Sequence, residues 1–204
     1  MPLTRTGWIA LADDPDVRGR IVADPVHPLY SCLVAYFSRP GPIVWSDAVA
    51  GLHVVHGWMP TRVNFERVLL LEAGKRDALV AALNAVRKKG AIGEDGLLAL
   101  AEFAGNSVAG ASRLLHFLSP QSFPAWDGRA AKSWLQRGLR ERMHEQVPMY
   151  LEYRDTLKEW SRDAGVQHSL LELRGLAPGL TSVSVLRLME LPLHHAEARA
   201  AKAE

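Results

Sequence analysis

An aspartate at the junction of a proline-containing loop and a basic segment is the residue of this chain best suited to do chemistry. Residues 119–134 read SPQSFPAWDGRAAKSW, and Asp127 directly follows Trp126. A carboxylate in this position can cap the helix that follows it. It can also stand in a pocket and stabilise a positive charge that develops on a substrate. The residue types leave both roles open for Asp127.

Positive side chains follow this aspartate closely. The segment 129–142 contains a single acid, Glu141, and five basic residues: Arg129, Lys132, Arg137, Arg140 and Arg142. A short segment of one charge sign attracts phosphates, which makes it a candidate surface for nucleic acid. The alternative is an ordinary solvated helix face. The net charge of the whole chain is only +2, so bulk electrostatics do not decide between them.

Two aromatic residues, Phe123 and Trp126, lie just before Asp127. Aromatic rings can stack against a base that has been turned out of a duplex. They can equally well anchor a loop in the hydrophobic core. Both interpretations remain open at this stage.

The short motifs of metal and nucleotide sites are missing from the sequence. It has no GxxxxGK[ST], HExxH or GxSxG pattern. The pairs His53 with His56 and His194 with His195 have no cysteine or carboxylate at ligand spacing, so we predict no metal site and no cofactor. The single cysteine, Cys32, excludes an internal disulfide.

Helical periodicity dominates the elements that must position these residues. The predicted helices lie around Leu79–Val86, from near Glu94, from about Val108 to Ser119, from Asp127 to about His144, from Pro148 to Gly165, within TSVSVLRLMELPL and after Pro28. The segment VNFERVLLLEA (63–73) could be a helix or a short strand. The pattern therefore predicts an all-α fold of about nine helices.

We expect one mostly helical domain over residues 1–193, either undivided or folded as two lobes, and a frayed tail over 194–204. The apolar stretches are too short for a membrane span, and the N-terminus lacks a secretory apolar region. These features predict a cytoplasmic protein with no membrane partner. The sequence does not predict the oligomeric state.

Residues 95–137 combine a helix, a glycine-containing turn, a second helix, a proline-bounded loop, an aspartate and a third helix. This layout resembles the helix-hairpin-helix DNA glycosylase superfamily. The resemblance implies a hairpin turn over Ala104–Gly110 that grips a DNA phosphate, and it assigns Asp127 as the catalytic carboxylate. Phe123 and Trp126 would form the base pocket. The turn reads FAGNSVAG, so its glycines are more widely spaced than in the family's LPGVG pattern.

The resemblance also implies a substrate and a reaction type. The residues expected to contact the DNA backbone are Gly105, Gly110, Ser112, Arg113, Arg129, Lys132 and Arg137. No lysine occurs between Lys89 and Lys132, and arginine cannot form a Schiff base. The implied activity is therefore that of a monofunctional glycosylase in DNA repair, which hydrolyses the N-glycosidic bond of a damaged or mismatched base in duplex DNA. The alternative is a non-enzymatic helical module that binds a protein partner or DNA.

Overall fold

The protein is all-α, as the sequence predicts. The computed structural model describes residues 2–24, 27–58, 68 and 70–196, and these residues contain no strand. The helices are α1 (Arg5–Ala12), α2 (Pro15–Val22), α3 (His27–Phe37), α4 (Trp45–Trp58), α5 (Ala73–Lys89), α6 (Glu94–Phe103), α7 (Val108–Leu118), α8 (Gly128–Leu135), α9 (Met143–Trp160), α10 (Ala164–Gly175) and α11 (Val185–Ala196), with a short 3₁₀ helix at Pro178–Leu180. None of the described helices combines the length and hydropathy needed to cross a membrane.

The chain divides into two compact units. The first unit contains Met1–Leu33, Trp126–Arg140 and Tyr153–Glu204, and the second contains Val34–Ala125 and Glu141–Glu152. Both units are therefore assembled from separate stretches of the chain. The helices α3 and α9 each contribute residues to both units.

In the first unit, α11 packs against α8, α2 and α1. The core of this unit is rich in large aromatic side chains. Trp134 lies 5.4 Å, centroid to centroid, from both Tyr153 and Trp160, and Trp126 lies 4.9 Å from Tyr153. The buried indole of Trp8 donates to the backbone carbonyl of Met189 over 2.8 Å, which satisfies its polar group inside the core.

In the second unit, α7 is the central helix. It packs against α4, α5 and α6, and all its residues except Ala109 are buried. Phe117 of α7 stacks on Phe37 with ring centroids 5.6 Å apart. This burial explains the almost continuous apolar sequence of α7, because a helix surrounded by others has little exposed surface to carry polar side chains.

The predicted helix from Asp127 to His144 is wrong in its second half. The helix α8 ends at Leu135, because Gln136 adopts a left-handed conformation with φ 55° that stops helix propagation. Helix α9 then begins at Met143 and runs through Pro148, so Pro148 does not open it. Gly165 likewise does not end a helix, since it lies in the first turn of α10.

Three helices among the first 58 residues and the end of the last helix were not predicted from the sequence. Periodicity did not reveal α1, α2 and α4, which are short or have weakly separated polar and apolar faces. Residues 194–196, which were assigned to the predicted frayed tail, continue α11. Residues 197–204 lie outside the described residues, as do 63–67 and 69 of VNFERVLLLEA.

Candidate functional site

Asp127 is the N-cap of α8, and its carboxylate is fully engaged. Its Oδ1 atom accepts from the backbone N–H groups of Arg129 at 2.9 Å and Ala130 at 2.8 Å. The residue is only 7% exposed, although it stands at a helix start. A negative charge here is favoured, because the first N–H groups of a helix lack partners and carry partial positive charge.

The second carboxylate oxygen of Asp127 binds a histidine from the last helix. Nδ1 of His194 lies 2.7 Å from Oδ2 of Asp127. A carboxylate can only accept in this bond, so Nδ1 carries the proton and donates it. Nε2 of the same ring lies 3.5 Å from a guanidinium nitrogen of Arg129, which is exposed. In the neutral ring Nε2 is then an acceptor, held in a fixed orientation by the carboxylate behind it.

A second histidine–carboxylate pair lies beside the first. His195 Nε2 is 3.2 Å from Oδ2 of Asp24, and the two histidine rings meet edge to face with centroids 5.0 Å apart. Arg20 donates from Nε to the backbone carbonyl of His195 over 2.8 Å. The adjacent histidines therefore connect the end of α11 to two different parts of the first unit.

A buried ion pair occupies the preceding turn of α11. Arg187 donates to Glu190, and the two residues are 3% and 1% exposed. Burial raises the pKa of the Glu190 carboxyl, Arg187 opposes this shift, and the negative charge of Asp127 adds to it. Burial also raises the pKa of the Tyr30 phenol, against a hydrogen bond with Ser184. The polar cluster of the first unit thus extends from Asp127 well into the protein interior.

The expected base-pocket residues do not form an exposed aromatic surface. Phe123 and Trp126 are both fully buried; Phe123 belongs to the second unit and Trp126 to the first. The carbonyl of Phe123 accepts from Nδ1 of His116 over 2.7 Å, and the ring of Trp126 packs on Tyr153. In this conformation both aromatic residues anchor the loop in the core, which is the second interpretation that the sequence allowed.

The glycine-containing turn joins two helices, but most of its N–H groups are used internally. Gly105 and Asn106 have positive φ, at 80° and 60°, and reverse the chain between α6 and α7. The N–H groups of Gly105 and Asn106 donate to Glu102, that of Ser107 donates to Ala101, and that of Gly110 donates to the Ser107 hydroxyl. The expected outward-facing row of donors is therefore largely occupied.

Gly110 lies inside the first turn of α7, not in the connecting turn. A Cβ atom at this position would stand 3.0 Å from Cβ of Ala104 and 3.2 Å from its carbonyl oxygen. Gly110 is thus suited to the close approach of the turn to the helix. This packing role does not require a ligand.

The remaining expected DNA contacts fall into two groups. Ser112 is fully buried, with its hydroxyl donating to the carbonyl of Ala109, and Arg113 is 5% exposed. These two positions offer no surface to a phosphate in this conformation. Arg129 and Arg137 are exposed and Lys132 is half-buried. Of the predicted contacts, these three basic residues are at least partly exposed.

The residues that sequence reasoning missed are Asp24, His194 and His195. The only signal was the adjacent histidine pair, which was assigned to the frayed tail. Within the described part of the chain, no three histidine, cysteine, aspartate or glutamate side chains come together as a metal site would require. Comparisons with protein-family models, curated proteins and solved structures found no match to this chain.

Proposed function

We propose that the protein binds duplex DNA along α8 and hydrolyses an N-glycosidic bond of a damaged or mismatched nucleotide, with Asp127 and His194 acting as a pair. The observation that carries this proposal is the 2.7 Å contact between Asp127 and His194, beside the exposed guanidinium of Arg129. An imidazole oriented by a carboxylate is a standard arrangement for a general base. A guanidinium next to it provides a phosphate contact.

Asp127 acts through His194 in this proposal. Its carboxylate already accepts from two backbone N–H groups and one imidazole, so it differs from the isolated carboxylate that the family resemblance implies. Its Oδ2 atom holds the His194 ring in place through the hydrogen bond from Nδ1. The proposal therefore keeps Asp127 in the reaction but gives the proton transfer to the histidine.

In the proposed reaction, water displaces the base at the anomeric carbon. Nε2 of His194 accepts a proton from the water molecule, whose oxygen bonds to the sugar carbon as the bond to the base breaks. The resulting imidazolium is stabilised by Asp127 and returns the proton to the departing base. The side chain of His194 is 14% exposed, which is sufficient for one ring nitrogen to reach a bound ligand.

DNA binding is tested by its salt dependence. The slope of log affinity against log salt concentration measures the number of phosphate contacts, and each contact contributes about 0.9 to its magnitude. Replacing Arg129 and Lys132 together with alanine should therefore reduce the magnitude of this slope by about 1.8. The matched control replaces Lys88 and Lys89, two exposed cations at the end of α5, with alanine. Equal slopes for the two double variants would contradict DNA binding by α8.

Excision is tested by single-turnover assays on duplexes that carry a panel of damaged and mismatched bases. His194→Gln should lower the excision rate about 100-fold or more, because general base catalysis contributes about that factor. Its affinity for a duplex with an abasic analogue should be unchanged. A parent protein that excises no base of the panel would overturn the hydrolytic part of the proposal.

A non-enzymatic helical module is the second candidate function. It is favoured by the burial of Phe123 and Trp126 and by the complete engagement of the Asp127 carboxylate, both of which are expected of a structural cap. Salt-dependent DNA binding without excision would identify a DNA-binding module. Absence of both would leave a module for a protein partner.

A further inference from the structure

The second unit contains a cavity of about 200 Å³ that the proposed function does not use. Its floor is apolar and includes Phe37, Leu83 and Leu114. All three are almost completely buried, and the parallel stacking of Phe37 on Phe117 fixes one wall. A void of this size is close to the roughly 150 Å³ that accommodates a benzene ring.

Charged side chains stand around the same cavity. Arg39 and Arg87 line it together with Asp47. Oδ2 of Asp47 accepts from the backbone N–H of Val44 over 3.0 Å, so part of its negative charge is already compensated. Two guanidinium groups against one carboxylate leave a net positive cavity.

Both arginines keep donors for a ligand. Arg39 donates from Nε to the carbonyl of Tyr36 over 2.9 Å and lies 3.9 Å above the Tyr36 ring. Arg87 donates to the carbonyls of Arg39 and Gly41 through its two terminal nitrogens. A guanidinium has five N–H donors, so these contacts leave several on each side chain.

The loop over the cavity is attached firmly to α5. The side-chain amide of Asn84 pairs with the backbone of Ile43 in both directions, with distances of 2.8 Å and 2.9 Å. Arg87 adds its bonds to the same loop. A cavity whose walls are fixed before binding loses little conformational freedom when a ligand enters.

We propose that this cavity binds a small amphipathic carboxylate, with its aromatic ring or branched aliphatic group on the apolar floor and its carboxylate at Arg39 and Arg87. The size of the cavity sets the size of the apolar group, and the net positive charge selects an anion. The planar fork of donors on each arginine matches a carboxylate. This ligand site is independent of the function proposed for Asp127 and His194.

The test is a titration of the whole protein with phenylacetate and isovalerate, followed by ligand-observed NMR. We expect dissociation constants on the order of 1 mM or tighter, as suits ligands with about ten non-hydrogen atoms. Phenylacetamide is the uncharged analogue of phenylacetate, and its dissociation constant should be at least about tenfold higher. Intermolecular NOEs from the phenyl ring should reach the methyl groups of Leu83 and Leu114.

Charge-removing variants complete the test. Arg39→Gln should weaken phenylacetate binding about tenfold, because it removes a charge-assisted hydrogen bond. Arg87→Gln should do the same, and Arg39→Gln alone decides the result if the loss of the Arg87 loop contacts prevents folding. Lys88→Gln, which removes an exposed charge from the next position of α5, should leave the affinity unchanged.

Three results would each overturn the proposal. The first is no binding of either carboxylate at about 10 mM, well above the expected range. The second is equal affinity for phenylacetate and phenylacetamide. The third is equal phenylacetate affinity in the parent protein and Arg39→Gln.

Discussion

The N-termini of α7 and α8 are both capped by a short polar side chain, yet the two caps differ in what they connect. At α7, the hydroxyl of Ser107 accepts from the N–H of Gly110 over 3.0 Å, three residues away. At α8, Asp127 accepts from two N–H groups and also binds His194, which is 67 residues away in the sequence. The first cap acts within its own turn, whereas the second joins two helices of the first unit.

This difference shows that a helix-capping residue can also make a contact with a residue distant in the sequence. Serine and aspartate are both preferred caps, so the sequence predicts a helix start at either position. Only aspartate has a second, charged acceptor atom that remains after capping. Asp127, which both caps a helix and binds His194, is therefore the better candidate for chemistry than Ser107. The comparison can be tested by removing the cap and the His194 contact in turn.

The largest expected effect comes from Asp127→Ala. The variant loses the cap and leaves His194 without its partner, so the free energy of unfolding should fall by about 2 to 4 kcal/mol. Ser107→Ala loses only one neutral cap and should cost about 1 kcal/mol. Urea unfolding of both variants measures the two values. Equal losses would show that the contact with His194 adds nothing to stability.

A double-mutant cycle sharpens the same comparison. Asp127→Asn keeps the capping oxygen but removes the charge, so its effect and that of His194→Ala should be coupled by about 1 kcal/mol or more. Ser107→Ala combined with His194→Ala should instead be additive within about 0.5 kcal/mol. Additivity in the first cycle would mean that Asp127 and His194 do not interact in solution.

The residues beside the two caps differ in backbone strain. Gly105 has φ 80°, so Gly105→Ala should cost about 1 kcal/mol. A Cβ atom on Gly128, the first residue of α8, meets nothing within 4 Å, so Gly128→Ala should change stability by less than about 0.5 kcal/mol. Thermal unfolding of the two variants provides the measurement. If Gly128→Ala lost as much stability as Gly105→Ala, backbone strain would not distinguish the two positions.

The smallest expected effect concerns a charge outside both caps. Arg154 donates to both carboxylate oxygens of Asp155, over 2.7 Å and 2.9 Å, and this bond lowers the pKa of Asp155 below its ordinary value. The stability that the pair provides is present above pH 3.8 and is lost as the pH falls through the lowered pKa.

Asp155→Asn should therefore be slightly less stable than the parent at neutral pH, and the two stabilities should converge in acid. The side chain of Asp155 is 60% exposed, so solvent screening keeps this difference below that of Ser107→Ala. Melting temperatures across the acid range measure it. If the stability difference between Asp155→Asn and the parent grew toward low pH, it would not come from the Arg154–Asp155 pair.

The sequence predicted the parts of the fold that depend on local pattern. The starts of α6 and α7 and the cap at Asp127 follow from periodicity and capping preferences, and all three are found. The end of α8 at Gln136 was missed because a left-handed glutamine has no strong local signal. The partner of Asp127 could not be predicted, since His194 reaches it only when α11 packs against α8.

The order in which the chain leaves the ribosome gives the last helix a particular importance. The indole of Trp8 donates to the carbonyl of Met189, and the backbone N–H of Leu3 donates to the carbonyl of Trp134. The start of the chain and α1 therefore form these contacts only after much later residues have been synthesised. Closing such long loops is entropically costly and slows folding. The first unit therefore cannot complete its core until α11 has been synthesised. Until then α1 and α2 expose the apolar faces that α11 will cover, and a nascent chain at that stage is a natural substrate for chaperones.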